Sequence, residues 1–113
     1  MSDQLAPMKG TLDTLVLKAL SWEPMHGFEI TTWLEDRSRG ELGIEDSALY
    51  QALDRMEERG LIKAEWGLTE NNRRARYYRM TAGGRAHLRA ESERWARYAG
   101  VMERILATTG RAG

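Results

Sequence analysis

The sequence contains no cysteine among its 113 residues. This absence excludes a disulfide framework, a thiolate metal site and a cysteine nucleophile. No stretch approaches the roughly 18 consecutive apolar residues that a membrane span requires, and the opening residues MSDQLAP lack the basic and apolar regions of a secretory signal. We therefore expect a cytoplasmic protein with no membrane partner.

An excess of charge of either sign is also missing. Lysine plus arginine and aspartate plus glutamate number 17 each, so the formal net charge is zero. A neutral protein has no long-range attraction for nucleic acid or for an anionic membrane, which counts modestly against a nucleic-acid role. The length is that of one domain, and we expect a partner to complete it.

Catalytic and metal-binding groups are sparse. His26 and His87 are the only histidines, and neither has a second ligand at a metal-binding spacing. The pair Gly83-Gly84 lacks the preceding strand and the glycine spacing of a phosphate-binding loop. No serine, threonine or lysine stands at a recognisable spacing from a base. We expect no enzyme, no metal and no cofactor.

Apolar residues at helical spacing predict three helices in the first half of the chain. They run from Met8 to Trp22, from Gly27 to near Gly40, and from Ser47 to Arg59. Pro24 stops the first helix, and Gly60 closes the third. Asp46 or Ser47 is expected to cap the third helix, since either side chain can accept from its first free amides.

A two-stranded hairpin should follow the third helix. Leu61 to Leu68 and the alternating segment from Ala75 to Met80 are the strands, and Asn71-Asn72 tolerates the left-handed backbone of the turn between them. Helix, strand, basic turn and strand in this order predict a winged helix-turn-helix, a mainly α fold with a two-stranded β wing, over residues 8–81. The ends, residues 1–6 and 109–113, should be disordered.

A last helix should begin at Ala82, with Thr81 as its cap. Its apolar and small residues alternate at spacings of four and three, at Leu88, Ser92, Trp95, Ala99, Met102 and Leu106. Such a heptad seam favours packing against a second helix. We expect residues 82–108 to be a dimerisation helix, with a second copy of the chain as the neighbour.

The segment NNRRARYYR, residues 71–79, is the most informative part of the sequence. Its four arginines greatly outnumber the nearby acid Glu70. Exposed arginines often form only weak surface ion pairs. Here the local excess favours an anionic partner instead, and Arg73, Arg74 and Arg76 are the expected backbone contacts to DNA.

The third helix, taken alone, would be an ordinary amphipathic bundle helix. The basic hairpin that follows it changes this interpretation, because a helix in this position can enter a major groove while the hairpin holds the DNA backbone. Polar groups suited to that surface are Ser47, Tyr50, Gln51 and Arg55. Asp54 and Glu58 would repel phosphate, so the first two turns should face the DNA.

Four tryptophans are many for this length. Trp22, Trp33 and Trp66 are expected in the core or in a dimer interface. Trp95 lies on the heptad seam beside small residues, so two copies could flank a gap that holds a flat apolar ligand. Leu12, Leu15 and Ala99 are the other expected lining residues, and plain interface packing is the alternative.

These residues together resemble the PadR family of transcriptional regulators. The similarity covers about Met8 to Leu88 and runs through Lys9-Gly10-Thr11-Leu12-Asp13, Leu17-Lys18-Ala19-Leu20, Pro24-Met25-His26-Gly27-Phe28, Gly40-Glu41-Leu42, Ser47-Ala48-Leu49-Tyr50, Leu53, Glu57, Arg59-Gly60-Leu61-Ile62, Glu65-Trp66-Gly67 and Arg73-Arg74-Ala75-Arg76-Tyr77-Tyr78. The short chain with one terminal helix resembles the small subgroup of that family.

The resemblance implies a homodimeric repressor that binds a double-stranded DNA operator and is released by a small molecule. It also implies that Tyr50 and the wing arginines contact DNA, and that Trp95 lines a pore for planar aromatic compounds at the dimer centre. The chain departs from the family at Gln51 and Ala82, where proline is frequent, and at Phe28, where tyrosine is frequent. A winged-helix module for protein–protein contacts is the alternative function, since such folds also serve in complexes.

Overall fold

The computed structural model describes residues 3–111 and contains four helices and three strands in that range. The order is α1 (Leu12–Leu20), β1 (Met25–His26), α2 (Gly27–Arg37), α3 (Asp46–Glu58), β2 (Ile62–Leu68), β3 (Arg74–Met80) and α4 (Ala82–Leu106). Helices α1 to α3 with the β2–β3 hairpin form a winged helix-turn-helix, as the sequence predicts, and the expected C-terminal helix follows.

The hydrophobic core lies where α1 meets α2, α3 and the base of the hairpin. Leu17 of α1, Ile30 of α2, Leu53 of α3 and Ile62 of β2 are almost completely buried. They come from the apolar face of each helix and from the inner face of the strand, as helical and strand periodicity require. Burying one such side chain stabilises the fold by about 1.5–3 kcal/mol, so this junction holds the three helices and the base of the hairpin together.

The helix α1 is shorter than the sequence suggested. It begins at Leu12 rather than Met8, because Gly10 has a positive φ of +85° that breaks helical geometry. The amide of Thr11 donates to the carbonyl of Met8 at 2.9 Å, which forms a turn before the helix. Helical spacing of apolar residues alone could not reveal this turn.

The expected cap of α3 is wrong. The helix begins at Asp46 and its N-cap is Glu45, and no side chain within residues 3–111 caps its first amides. Asp46 instead stands in the first turn, where its charge suits the positive end of the helix. At the other end Gly60 has a φ of +75°, and the amide of Leu61 donates to the carbonyl of Met56 at 2.9 Å. The prediction that Gly60 closes the helix is confirmed.

The sheet has three strands rather than two, in the order β1-β3-β2 and antiparallel throughout. In β1, Met25 and His26 pair with Tyr78 and Tyr77 of β3. A strand of two residues is too short to give a periodic signal, which is why the sequence missed it. His26 is also the N-cap of α2, and its Nδ1 accepts from the amide of Glu29 in a reciprocal capping box.

The hairpin turn is built as expected around the two asparagines. Asn72 has a φ of +62°, and its amide donates to the carbonyl of Thr69 at 2.9 Å. The strands pair from Ile62 opposite Met80 to Leu68 opposite Arg74. In this register Trp66, Arg74 and the buried Tyr78 share one face of the wing.

The helix α4 begins as predicted. Thr81 Oγ1 accepts from the amide of Gly84 at 3.0 Å and donates to the carbonyl of Gly60 at 2.6 Å. Leu88 packs against the core, whereas large apolar side chains further along α4 are exposed. These are Trp95, Tyr98, Met102, Ile105 and Leu106. No helix within residues 3–111 is long and apolar enough to cross a membrane.

The expected disorder of the first residues is wrong at Leu5. The amide of Leu5 donates to the carbonyl of Glu41 at 2.7 Å, and its own carbonyl accepts from Gly43 at 2.8 Å. A parallel bridge therefore joins Leu5 to Leu42, in the loop before α3. Residues 1–2 and 112–113, which belong to the same expectation, lie outside the described residues.

Candidate nucleic-acid interface

The helix α3 exposes the polar residues that the sequence selected on its first two turns. Ser47, Tyr50 and Gln51 are exposed, while Leu49 and Leu53 lie in the core. This division follows from the 3.6-residue period of the helix, which leaves one face in solvent when the apolar face is buried. A continuous polar surface is the result, free of the large apolar residues of α3.

The side chain of Tyr50, in α3, packs against the start of α2. Its ring lies over Gly27, where a Cβ atom would stand 2.8 Å from Cζ of Tyr50. The tyrosine remains about half exposed, and its hydroxyl end is the part that lies closest to Gly27. The exposed surface of α3 is thereby continuous with the N-terminus of α2.

The tip of the wing presents Arg73 and Arg74. The Arg73 amide donates to Thr69 Oγ1 at 3.1 Å, which fixes the backbone of the turn. The guanidinium carbon of Arg74 lies 4.5 Å from the centroid of the Trp66 ring, a cation–π distance. Trp66 is 60% exposed and belongs to the wing surface, so it does not fill the core of the chain, and a place for it in a dimer interface stays a prediction.

A concavity of about 440 Å³ lies between the start of α2, Tyr50 and the wing. Its lining includes Phe28, which is 76% exposed, Trp66 and Arg74. The remaining lining residues are His26, Gly27, Thr69, Ala75, Arg76 and Tyr78. Sequence reasoning missed Phe28, Trp66 and Thr69 here, although aromatic residues near an arginine cluster are a recognised sign of nucleic-acid contact.

Two of the expected DNA contacts are engaged within the protein. Arg55 Nη2 donates to Asp13 Oδ1 of α1 at 2.8 Å, and Arg76 Nη2 donates to Glu57 Oε2 of α3 at 2.9 Å. Counting acids within the arginine segment could not identify Glu57, because it lies 19 residues before Arg76. Arg55 and Arg76 are therefore paired with acidic side chains, whereas Arg73 and Arg74, at the wing tip, belong to no ion pair of the described residues.

Tyr78 closes the inner end of the concavity and is only 4% exposed. Burial raises the pKa of its hydroxyl above the ordinary value of 10.0, while the Arg76 charge opposes that rise. The Arg76 guanidinium carbon lies 5.9 Å from the Tyr78 ring centroid. A neutral tyrosine thus forms the floor beneath Arg76 at physiological pH.

A second groove, of about 830 Å³, separates the N-terminal segment and α1 from α4. Trp95 and Leu15, both predicted for a ligand site, line it together with Leu5 and Tyr98. The Trp95 and Tyr98 ring centroids are 6.3 Å apart. Of the other predicted residues, Leu12 packs against the core outside the groove lining.

Ala99, the fourth predicted ligand residue, is partly buried on α4 and also lies outside the groove lining. Within residues 3–111 there is no cluster of three or more histidine, aspartate or glutamate side chains that could hold a metal ion.

Residues 16–90 match the model of the transcriptional regulator PadR-like family. This segment is more than half of the chain and includes α3 and the whole wing. The chain belongs to the PadR-like family.

Solved structures of transcriptional regulators share the architecture over most of the chain. A transcriptional regulator from Clostridium thermocellum is 29% identical with a TM-score of 0.79, over 86% of this chain and 94% of that one. A PadR family regulator from Eggerthella lenta is 32% identical with a TM-score of 0.76, over 89% and 86%. A third, from Clostridium difficile, is 29% identical with a TM-score of 0.74, over 87% and 100%.

A curated relative, an uncharacterised protein of Lysinibacillus sphaericus, is 26% identical over 96 residues, which are 85% of this chain and 88% of that one. This PadR-like chain therefore has the fold of a DNA-binding transcriptional regulator. The exposed start of α3 and the arginine-bearing wing belong to that fold.

Proposed function

We propose that this PadR-like protein is a homodimeric repressor that binds double-stranded operator DNA through α3 and the wing. The observation that carries the proposal is the concavity whose lining includes both Tyr50 of α3 and Arg74 of the wing. A helix in the major groove and a basic wing on the adjacent backbone would face one DNA duplex from such an arrangement.

The two parts of this surface have different tasks. Arg73 and Arg74 neutralise phosphates, which gives grip and register without reading sequence. Ser47 and Gln51, exposed on the first turns of α3, face base edges, and a glutamine amide can form a paired contact with adenine. The neutral net charge of the chain limits long-range attraction but leaves these local contacts intact.

The dimer forms through α4, and we propose residues 8–81 as the DNA-binding unit and residues 82–108 as the dimerisation helix. The exposed apolar side chains of α4, including Trp95, Met102 and Ile105, support this assignment, because a soluble chain rarely leaves so many on one helix without a partner. A symmetric dimer would present two α3 helices to two operator half-sites.

The groove beside Trp95 receives a small planar aromatic effector that releases the repressor from DNA. The large apolar residues of its lining and the neighbouring Trp95 and Tyr98 rings support an apolar, aromatic ligand. Leu15 of α1 belongs to the same lining, whereas Leu12 and Ala99 lie outside it in the single chain.

The DNA proposal is tested with the protein's own promoter fragment at several salt concentrations. The double variant Arg73→Ala/Arg74→Ala should bind all sequences more weakly and reduce the slope of log affinity against log salt by about 1.8, or about 0.9 per phosphate. The matched control Arg85→Ala/Arg89→Ala removes the same charge from exposed positions on α4. An equal loss in the control, or salt-insensitive capture of a protein partner instead of DNA, would reject the proposal.

The dimer and the effector are tested separately. Analytical ultracentrifugation should give twice the chain mass, and Met102→Glu should shift the population towards monomer. Calorimetric titration with planar aromatic dyes should give binding that Trp95→Ala abolishes and Trp22→Ala preserves. If a dye binds the protein but the protein stays bound to the promoter fragment, the proposal that an effector releases the repressor from DNA is refuted.

A further inference from the structure

An ion pair joins the last turn of α3 to the middle of β3. Arg76 Nη2 donates to both carboxylate oxygens of Glu57, at 2.9 Å and 3.3 Å. Glu57 follows the buried Met56 in α3, and Arg76 is paired with Trp66 in the middle of the β2–β3 hairpin. Both residues are therefore anchored by their backbones, and the ion pair links the helix to the wing.

The surroundings of Arg76 hold it in this position. Its guanidinium lies over the ring of Tyr78, which is buried at the base of the wing. The Arg76 and Glu57 side chains are 43% and 33% exposed, and two hydrogen bonds from Nη2 fix the guanidinium against the carboxylate. A phosphate would have to compete with the Glu57 carboxylate for the same guanidinium.

Arg74 has a different environment on the same face of the same strand. No ion pair within residues 3–111 includes Arg74, and its guanidinium lies on the Trp66 ring. Trp66 pairs with Arg76 across the hairpin, so its indole extends diagonally to Arg74. Such stacking orients a guanidinium while leaving its N–H groups free to donate.

We propose that Glu57 and Arg76 brace the wing against α3, and that Trp66 is the platform that presents Arg74 as the phosphate ligand. This inference rests on the proposed DNA function and assigns different roles to the residues of the wing. Arg76 and Trp66 are positioning residues, and Arg74 touches the DNA. The brace sets the angle at which the wing meets the backbone while α3 lies in the groove.

The two possible roles of Arg76 give opposite signs for one variant. If Arg76 binds phosphate, Glu57→Gln removes a competing negative charge and tightens binding. If Arg76 is a brace, Glu57→Gln breaks the link and weakens binding. The neighbouring variant Glu58→Gln is the charge-matched control, since Glu58 is exposed and belongs to no ion pair of the described residues.

The test is a double-mutant cycle on affinity for the promoter fragment. Glu57→Gln and Arg76→Gln should each weaken binding by about five- to tenfold with an unchanged salt slope, and the double variant should be no weaker than either. The exchanged pair Glu57→Arg/Arg76→Glu should recover most of the affinity. Tighter or unchanged binding of Glu57→Gln, or a salt slope lowered by about 0.9 in Arg76→Gln, would overturn the brace.

The platform is tested with two substitutions of Trp66. Trp66→Leu should weaken binding as much as Arg74→Ala, and combining the two should add little, whereas Trp66→Phe should retain most of the affinity because it keeps an aromatic face. Trp22→Leu, at a similarly exposed tryptophan away from the wing, is the control. Additive losses for Trp66→Leu and Arg74→Ala would reject the platform.

A measurement without DNA separates this inference from the proposed function. In the free protein, amide hydrogen exchange at Tyr77 and Tyr78 should be faster in Glu57→Gln than in wild type and unchanged in Glu58→Gln. If the wild-type protein bound no promoter DNA, the proposed function would fail while this readout still tested the brace. Unchanged exchange in Glu57→Gln would overturn the brace by itself.

Discussion

The ring of Tyr50 in α3 lies over the backbone of Gly27 at the start of α2. A Cβ atom on Gly27 would stand 2.8 Å from Cζ and 3.2 Å from Cε1 of that ring. Gly27 is buried, and its φ is not in the left-handed region, so it is needed for space rather than for backbone freedom. A residue without a side chain thus sets the position of a candidate DNA contact.

Gly27→Ala should displace the Tyr50 ring. Because the added methyl group meets the far end of a half-exposed side chain that can turn away, we expect a loss of no more than about 1 kcal/mol in the free energy of unfolding, together with weaker DNA binding. Chemical denaturation and promoter-fragment titration measure the two effects. In a Tyr50→Ala background the same substitution should cost much less stability, and an undiminished cost there would contradict the steric explanation.

The neighbouring glycines of α4 should respond oppositely to alanine. Gly84 is buried, and a Cβ atom there would overlap the Leu61 carbonyl, so Gly84→Ala should lower the free energy of unfolding by more than about 2 kcal/mol. Gly83 is exposed with its closest contacts at 3.6 Å, so Gly83→Ala should raise it by about 0.5–1 kcal/mol. Thermal unfolding checks both, and equal shifts would refute the packing of α4 on Leu61.

Arg55 should act on stability rather than on DNA affinity. Its ion pair with Asp13 joins α3 to α1 at the surface, and such pairs contribute at most about 1 kcal/mol. Arg55→Ala should therefore lower stability by less than that and leave the salt slope of DNA binding unchanged, as should Asp13→Asn. A slope reduced by about 0.9 in Arg55→Ala alone would make Arg55 a phosphate contact.

Gln51 should determine base preference. Gln51→Ala should relax discrimination at one operator base pair by about 1–3 kcal/mol, because a paired amide contact to a base edge is lost. Competition among operator fragments changed at single positions measures this discrimination. The variant Asp54→Asn, which removes an exposed acid from the same helix, should tighten binding to all fragments equally. Uniform weakening by Gln51→Ala would place Gln51 on the backbone instead.

Tyr78 should make the protein less stable in alkaline solution. Burial raises the pKa of its hydroxyl above 10.0, so the folded state holds this proton more tightly than the unfolded state. Stability should be independent of this group below pH 10 and should fall as the pH rises from 10.0 through the raised pKa. Urea unfolding at several pH values measures the decline, and Tyr78→Phe should reduce it. An unaltered decline in Tyr78→Phe would exclude this origin.

The helices and the hairpin were predictable because local signals specify them. The apolar period of α3, the left-handed glycine at Gly60, the Asn72 turn and the Thr81 cap each act within a few residues of sequence. The start of α1 and the cap of α3 were wrong by one to four residues, because positions near a helix end satisfy more than one pattern. The DNA contacts selected on α3 and the wing remain predictions.

The two-residue strand β1 and the position of Trp66 on the wing surface were not predictable from such local signals. Pairing of Met25 with Tyr78 depends on how α1 and α2 pack, and it adds only two residues of strand. A tryptophan in a strand is usually assigned to a core, and only the register shows that Trp66 extends beyond the core towards Arg74.

The sequence by itself determined the element order, the apolar faces and an arginine cluster in excess of its local acids, since these depend on spacing along the chain. Only the tertiary structure decided which arginines meet a carboxylate. Glu57 reaches Arg76, and Asp13 reaches Arg55 across 42 residues, because burial of the helix faces brings these side chains together. Long-range ion pairs follow from which faces pack against each other, and a count of neighbouring charges along the chain contains no information about that packing.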